Sequence, residues 1–285
     1  MSLYQFLADP VVLVWVCATL GLLVGSFLNV VIARLPVMLE RAWSAECAEW
    51  QGQEAAVVEV FNLVHPRSRC PHCTAPIQAW QNVPVLSWLL LRGRCASCGA
   101  GISVRYPFIE VLSAVLAAGV ASTWGATPQT ACGLLLVWGL LALAFIDLDT
   151  QYLPDDLTLP LLWLGLLAAS LGFGFTSLDQ AVWGAMAGYL ILWVVCRVFL
   201  LITGREGMGG GDFKLLAALG AWFGWQALPM LILISSLVGA ACGILAIVLA
   251  GHDRRMPIPF GPFLVLAGLT GLFYPAGLRL ASWLA

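Results

Sequence analysis

Two sets of side chains have the types and spacing to do chemistry. The first is Cys70-Pro71-His72-Cys73 and Cys95-Ala96-Ser97-Cys98, two CxxC elements with 21 residues between them. Four thiolates so spaced can wrap one Zn²⁺ tetrahedrally, although the separation slightly exceeds the commonest zinc-ribbon range. Two redox-active dithiols or two disulfides are the alternatives. His72 reads as a neighbour of the metal, not a ligand. Cys17, Cys47, Cys132, Cys196 and Cys242 have no partner in the sequence, and no role is assigned to them.

The second set is acidic. Asp147 ends the apolar run Leu143-Ala144-Phe145-Ile146, and Asp212 follows Gly207-Met208-Gly209-Gly210-Gly211. An ionisable residue at membrane depth is costly and points to function. Gly209, Gly210 and Gly211 form a supporting loop, because glycine allows close backbone approach and dihedrals closed to other residues. Asp212 at a helix start meets the positive end of the dipole. Two facing carboxylates share one proton, so that one can act as base on water and the other as acid on a scissile amide. No GK[ST] follows the glycines, so this is not a P-loop, and no strand–GxGxxG–helix pattern supports a dinucleotide site. Asp155 and Asp156, beside Pro154, read as acids of a wet loop, and Asp149 stands between the two readings.

These residues must be positioned by an unusual chain. Of its 285 residues 61% are hydrophobic and 10% charged, with a mean hydropathy of +0.94. Soluble domains run near a quarter charged. Soluble enzymes, disordered chains, secreted disulfide scaffolds and β-barrels are excluded, leaving an all-α polytopic membrane protein. A net charge of −2 gives no basic surface for nucleic acid. About eight spans are expected, near 11–33, 105–123, 128–146, 157–175, 180–202, 213–226, 228–250 and 260–283. The 213–226 span is short and begins near Lys214.

Placing 34–104 in the cytoplasm, with the loops near 147–156, 203–212 and 251–259 on the same side by alternation, puts 12 of the 13 basic residues in the inner regions and their flanks, leaving Arg279 outside. The count includes Arg205, Arg254 and Arg255. Disulfides are disfavoured on that reducing side. Nothing basic precedes Arg34, so no cleavable signal peptide is expected. The expected organisation is a first transmembrane helix over 1–33, a small cytoplasmic zinc-binding domain over 34–104 and a membrane core over 105–285. Metal binding would supply the folding energy of the small domain. Within it, 37–62 carries Glu40, Arg41, Glu46, Glu49, Glu54 and Glu59 among apolar residues. It reads as a solvated helix rather than one lying on the membrane.

At this point the sequence resembles a known family. Gly209-Gly210-Gly211-Asp212 matches the GxGD element shared by bacterial prepilin peptidases and presenilin-like intramembrane aspartyl proteases. Further elements narrow the resemblance to the prepilin leader peptidase/N-methyltransferases. These are Gly25-Ser26-Phe27-Leu28-Asn29-Val30-Val31-Ile32, Arg69-Cys70-Pro71-His72-Cys73, Asn82-Val83-Pro84-Val85-Leu86-Ser87-Trp88, Leu91-Arg92-Gly93-Arg94-Cys95, Ile102-Ser103-Val104-Arg105-Tyr106-Pro107 with Glu110, and Ile146-Asp147-Leu148-Asp149 with Leu153-Pro154-Asp155. The resemblance is spread over most of the chain, from about residue 20 to 265.

The resemblance implies that Asp147 and Asp212 are the catalytic pair and that Cys70, Cys73, Cys95 and Cys98 bind structural Zn²⁺. It implies cleavage of a basic leader after glycine from type IV prepilins or type II secretion pseudopilins. It also implies transfer of a methyl group from S-adenosylmethionine to the new N-terminus. The enzyme would be a multi-pass inner-membrane protein in contact with lipid, with its zinc domain and aspartates on the cytoplasmic side. Association with pilus or secretion assembly proteins is compatible with it. Gly93 and Glu110 are candidates for binding the methyl donor, although Glu110 also reads as a helix-start acid favoured by the dipole.

A competing class is an ion- or proton-coupled transporter, in which paired acids and broken helices are common. The long first loop with its CxxC pairs, beside an acid after glycines, separates the two. A non-enzymatic scaffold leaves the two aspartates unexplained.

Overall fold

A computed structural model describes residues 8–52, 60–204, 207–250 and 258–274. Glu54, Glu59, Arg205, Arg254, Arg255 and Arg279, together with the end of the last expected span, lie outside the described residues. The chain divides into two compact units, Met1–Ser122 and Thr123–Ala285.

The first unit is built on two helices and the cysteine segment. Helix α1 (Pro10–Trp50) starts on Asp9, whose side chain accepts from Val11 and Val12, with Pro10 in the first turn. Its buried residues Leu13, Cys17, Gly21, Gly25, Leu28, Ile32 and Leu35 recur at helical spacing. They face α3 (Arg105–Trp124). A Cβ at Gly21 would stand 2.7 Å from Ala114 Cα, and one at Gly25 2.8 Å from Glu110 Cα. The two backbones therefore nearly touch, as in small-residue membrane contacts. Buried polar groups fasten the crossing. Ser113 Oγ donates to Gly21 O at 2.7 Å, and Asn29 Nδ2 donates to Tyr106 O at 3.2 Å. Between these helices lie a 3₁₀ turn (Ala79–Asn82) and the short α2 (Leu86–Leu90).

Helix α1 does not stop at residue 33. Its 41 residues span about 62 Å, about twice the hydrocarbon thickness of a bilayer. Ala, Glu and Leu in 37–50 favour helix, and no glycine interrupts before Gly52. The segment is solvated as expected, but it continues the membrane helix rather than forming a separate one.

The second unit contains α4 (Pro128–Thr150), α5 (Asp155–Ser170), α6 (Leu178–Thr203), α7 (Gly210–Phe223), a 3₁₀ turn (Trp225–Ala227), α8 (Leu228–Ala250) and α9 (Gly261–Phe273). No strand occurs among the described residues. Helices thus stand at all eight expected spans. Five are long and apolar enough to cross a membrane: α1, α3, α4, α6 and the turn with α8. Helices α5 and α7, with 16 and 14 residues, reach only about 24 and 21 Å. The described part of α9 has 13 residues.

Helix α7 is the centre of this unit. Every residue from Leu215 to Trp222 is buried, and α6 and α5 are its main neighbours. Glycine makes the α6 crossing: Gly184 lies against the Gly220 backbone, and a Cβ at Gly188 would meet Leu216 O at 2.6 Å. Trp222 fills the space beside Gly165 and donates to Leu161 O at 2.9 Å.

Gly220→Ala should therefore force α6 and α7 apart and destabilise the second unit by about 1–3 kcal/mol. A lowered thermal-unfolding midpoint in detergent would report it. Gly209→Ala, where a Cβ would meet nothing within 4 Å, should leave that midpoint unchanged.

Candidate active site and metal centre

The carboxylate pair is assembled in the second unit by helix ends. Asp147 sits in the last turn of α4, whose run is closed by Gln151 in a left-handed conformation with φ of 54°. Asp212 is the third residue of α7, with Gly209 as the N-cap. Asp147 is 5% exposed and Asp212 8%. The two carboxylates are close enough for Asp212 to feel the charge of Asp147.

Their surroundings differ. Asp147 Oδ2 accepts the backbone N–H of Gly261 at 3.0 Å, from the first turn of α9. A Cβ at Gly261 would lie 2.5 Å from that oxygen, so glycine alone fits. Asp212 Oδ1 is buried and has no hydrogen-bond partner among the described residues. Of the supporting glycines only Gly211 is tightly packed, where a Cβ would come within 2.7 Å of Leu153 Cβ. At Gly209 and Gly210 no described residue lies within 4 Å of a Cβ position. Leu153 also borders Gly261, so three chain segments meet at this buried leucine. Gly261 was not singled out from the sequence, and Leu153 stood there only as part of a motif, with no role of its own. The only local signal was a Gly261-Pro262 pair opening an apolar run.

Asp149 and Asp156 are exposed. Asp155 is not the wet-loop acid expected of it. Pro154 caps α5, so Asp155 falls in that helix's first turn. Lys214 Nζ donates to its Oδ1 at 2.7 Å and its Oδ2 at 2.6 Å.

The first unit holds the cysteines. Cys70, Cys73, Cys95 and Cys98 bring their sulfurs within 4.8 Å of one another and could hold a metal ion. The short approaches run across the two CxxC elements, Cys70 to Cys98 at 3.9 Å and Cys73 to Cys95 at 4.0 Å. A tetrahedron with Zn–S bonds of about 2.3 Å has edges of about 3.8 Å, so the set fits Zn²⁺. The cysteines are free thiols, and His72 lies outside the four-sulfur set.

The two elements are copies of one knuckle. Cys70 N donates to Ala75 O and Cys95 N to Ala100 O; Thr74 N donates to Cys70 O and Gly99 N to Cys95 O. Isolated bridges Arg69–Pro76 and Arg94–Gly101 close them. Thr74 and Gly99 both take positive φ, 57° and 71°. The repeated Arg-Cys-x-x-Cys-x-Ala-x-Ile at 69–77 and 94–102 was the available signal. Backbone N–H groups of Cys98 and Ser97 at its sulfur hold Cys95 down at about 6. Cys98 accepts a hydrogen bond from Ala100, yet burial and the neighbouring thiols push it up to about 11. A second negative charge on such a cluster is resisted until a cation shares it.

Gly93 and Glu110 have structural partners here. Gly93 has a φ of 67°, and a Cβ there would meet Trp88 Cζ2 at 2.8 Å. Glu110 is not at the start of α3 but buried on it, accepting the Val85 N–H at 2.7 Å and a hydrogen bond from Ser26. Val85 needs the anchor. It is a β-branched residue at φ 60° and ψ −49°, in a tight turn where Leu86 N reaches Pro84 O at 2.5 Å.

The model of the bacterial peptidase A24 N-terminal domain matches residues 19–124, and that of the type IV leader peptidase family matches 134–244. A prepilin leader peptidase/N-methyltransferase of Aeromonas hydrophila is 58% identical over 256 residues, covering 89% of this chain and 88% of the relative. One of Stutzerimonas stutzeri is 52% identical over 276 residues, covering 96% and 95%. One of Neisseria gonorrhoeae is 53% identical over 253 residues, covering 88% and 87%. No solved structure matches the chain.

The Val85 anchor is testable. Glu110→Ala removes the acceptor and should destabilise the 78–92 segment by about 1–3 kcal/mol, whereas Glu110→Gln keeps a carbonyl oxygen and should lose less. Limited proteolysis of the two variants measures the difference.

Proposed function

Because the chain belongs to the type IV leader peptidase family, we propose that Asp147 and Asp212 are the pair with which it cuts prepilins. It is a membrane protein, a prepilin peptidase and an N-methyltransferase. The observation that carries the catalytic reading is two carboxylates on two helix ends, each more than nine-tenths buried, whose segments meet at Leu153 and Gly261.

Such a pair holds one shared proton. With water between the carboxylates, one takes the water's proton as the oxygen attacks the scissile carbonyl, and the other protonates the leaving amine. The Gly261 N–H fixes one oxygen of Asp147, and the buried Oδ1 of Asp212 is left without a hydrogen-bond partner among the described residues. Gly211 and Leu153 fill the space behind the pair. Cleavage after the glycine of a basic leader releases a new N-terminal amine, and only that amine can be methylated.

The same reading places the four thiolates around one structural Zn²⁺, supported by their number and spacing. It keeps the three-part organisation of first helix, zinc-binding segment and membrane core. It puts the zinc segment and both aspartates on the cytoplasmic side of the inner membrane, where the basic residues concentrate. Type IV prepilins and type II pseudopilins are the substrate class, and S-adenosylmethionine is the methyl donor. Gly93 and Glu110 are already engaged, by Trp88 and by Val85 with Ser26, so neither is given a step with that donor.

Asp147→Asn and Asp212→Asn should each abolish cleavage of a purified prepilin, read by mass, while the protein still inserts and binds metal. The wild-type rate should trace a bell in pH whose limbs belong to the pair. Wild-type-like cleavage by either variant would remove the dyad.

Elemental analysis should find one zinc per chain. Cys95→Ser should lower that ratio and open the 60–104 segment to protease before the membrane helices unfold. Full zinc in Cys95→Ser would exclude the four-thiolate site.

A further inference from the structure

The buried pair leaves one question open: what aims Asp212? Among the described residues its Oδ1 has no partner, so they do not fully hold the side chain by hydrogen bonds. Just before it the chain is held closely only at Gly211, against Leu153, and at Gly207, against Phe199. Four of the five residues from 207 to 211 are glycine, and at Gly209 and Gly210 no described residue lies within 4 Å of a Cβ position. Glycine backbone is the least restricted of all. What remains is the helix turn that carries Asp212, and that turn is fastened two residues later by Lys214.

We propose that the Asp155–Lys214 ion pair is the device that sets Asp212 opposite Asp147. The inference rests on the reading of those two aspartates as the catalytic pair. Lys214 is the only lysine in the protein, and its ammonium engages both oxygens of one carboxylate, at 2.7 and 2.6 Å. That carboxylate lies on the segment that continues from Asp147. Gln151 closes α4, Leu153 is buried against Gly211 and Gly261, and Pro154 caps α5 one residue before Asp155. Counting along the chain, Asp155 is eight residues from Asp147 and Lys214 is two from Asp212. The ion pair therefore closes a small ring that has both aspartates on it.

The pair is well placed for positioning and poorly placed for stability. The side chains are 32% and 45% exposed, so solvent screens the attraction and its loss costs the fold little. Two acids that must hold one water between them tolerate little displacement, and a shift of about 1 Å costs up to about 100-fold in rate. Asp155 and Lys214 are thus positioning residues, and their effect falls on turnover.

The experiment measures kcat and KM for cleavage of a purified prepilin, together with the unfolding midpoint. It uses Asp155→Ala, Lys214→Met, the double variant, Lys214→Arg, and the exchange of Asp155→Lys with Lys214→Asp. Each single loss should lower kcat by about 10- to 100-fold with KM changed less than about twofold and the midpoint unmoved. The double variant should be no slower than the slower single, because both remove one interaction. Lys214→Arg and the exchange should recover most of the turnover.

Full turnover in Asp155→Ala overturns the proposal, as do multiplying losses in the double variant or a rise in KM at constant kcat. If the single variants fail to insert, Lys214→Arg and the exchange decide: a folded exchange protein without recovered kcat overturns it. Asp212→Asn is run beside them. Cleavage by Asp212→Asn brings down the dyad itself, whereas a dead Asp212→Asn with wild-type clamp variants brings down the clamp alone.

Discussion

Holding two carboxylates close together inside an apolar helix bundle is the constraint on which this structure depends. Each carboxylate loses water, and Asp212 lies within reach of the charge of Asp147. The surroundings are fitted to that problem at the atomic level. One oxygen of Asp147 is given a backbone N–H from the start of α9, where helix geometry leaves N–H groups unused. Asp212 is put in the first turn of α7, where the dipole favours negative charge. Glycine at 261 and 211 removes the Cβ atoms that would keep the segments apart.

The lengths of the helices follow from the same need. A helix that crosses a bilayer has its polar ends at the surface, whereas α7 is 14 residues long and buried along nearly its whole length. It brings a helix start, with its glycines and its acid, to the end of α4. The close packing of α6 on α7 through Gly184 and Gly188 replaces the hydrophobic drive that lipid does not provide.

The cysteine segment solves a different problem. Residues 60–104 contain one short helix, one 3₁₀ turn and few buried side chains, too little apolar surface to hold a fold. Two copies of one knuckle present four sulfurs to a common centre instead. The Glu110–Val85 bond then ties this segment to α3 through a single buried acid.

Much was legible in local pattern. Apolar runs located eight helices, and charge with composition excluded every soluble class. Cys70, Cys73, Cys95 and Cys98 were visible as spacing, and Asp147 and Asp212 as acids where acids are costly. These features are local, and a window of a few residues contains them. The tertiary structure decided what depends on distant partners. Gly261 meets Asp147 across 114 residues, and Lys214 meets Asp155 across 59. Asp155 looked like a loop acid because Pro154 hides a helix start, and Glu110 looked like a helix-start acid because its partner Val85 lies 25 residues away. Helix α1 ran on to Trp50 because hydropathy marks where a membrane stops, not where backbone hydrogen bonding does. Periodicity reports which face of an element is apolar; it carries no record of which other element will stand against it.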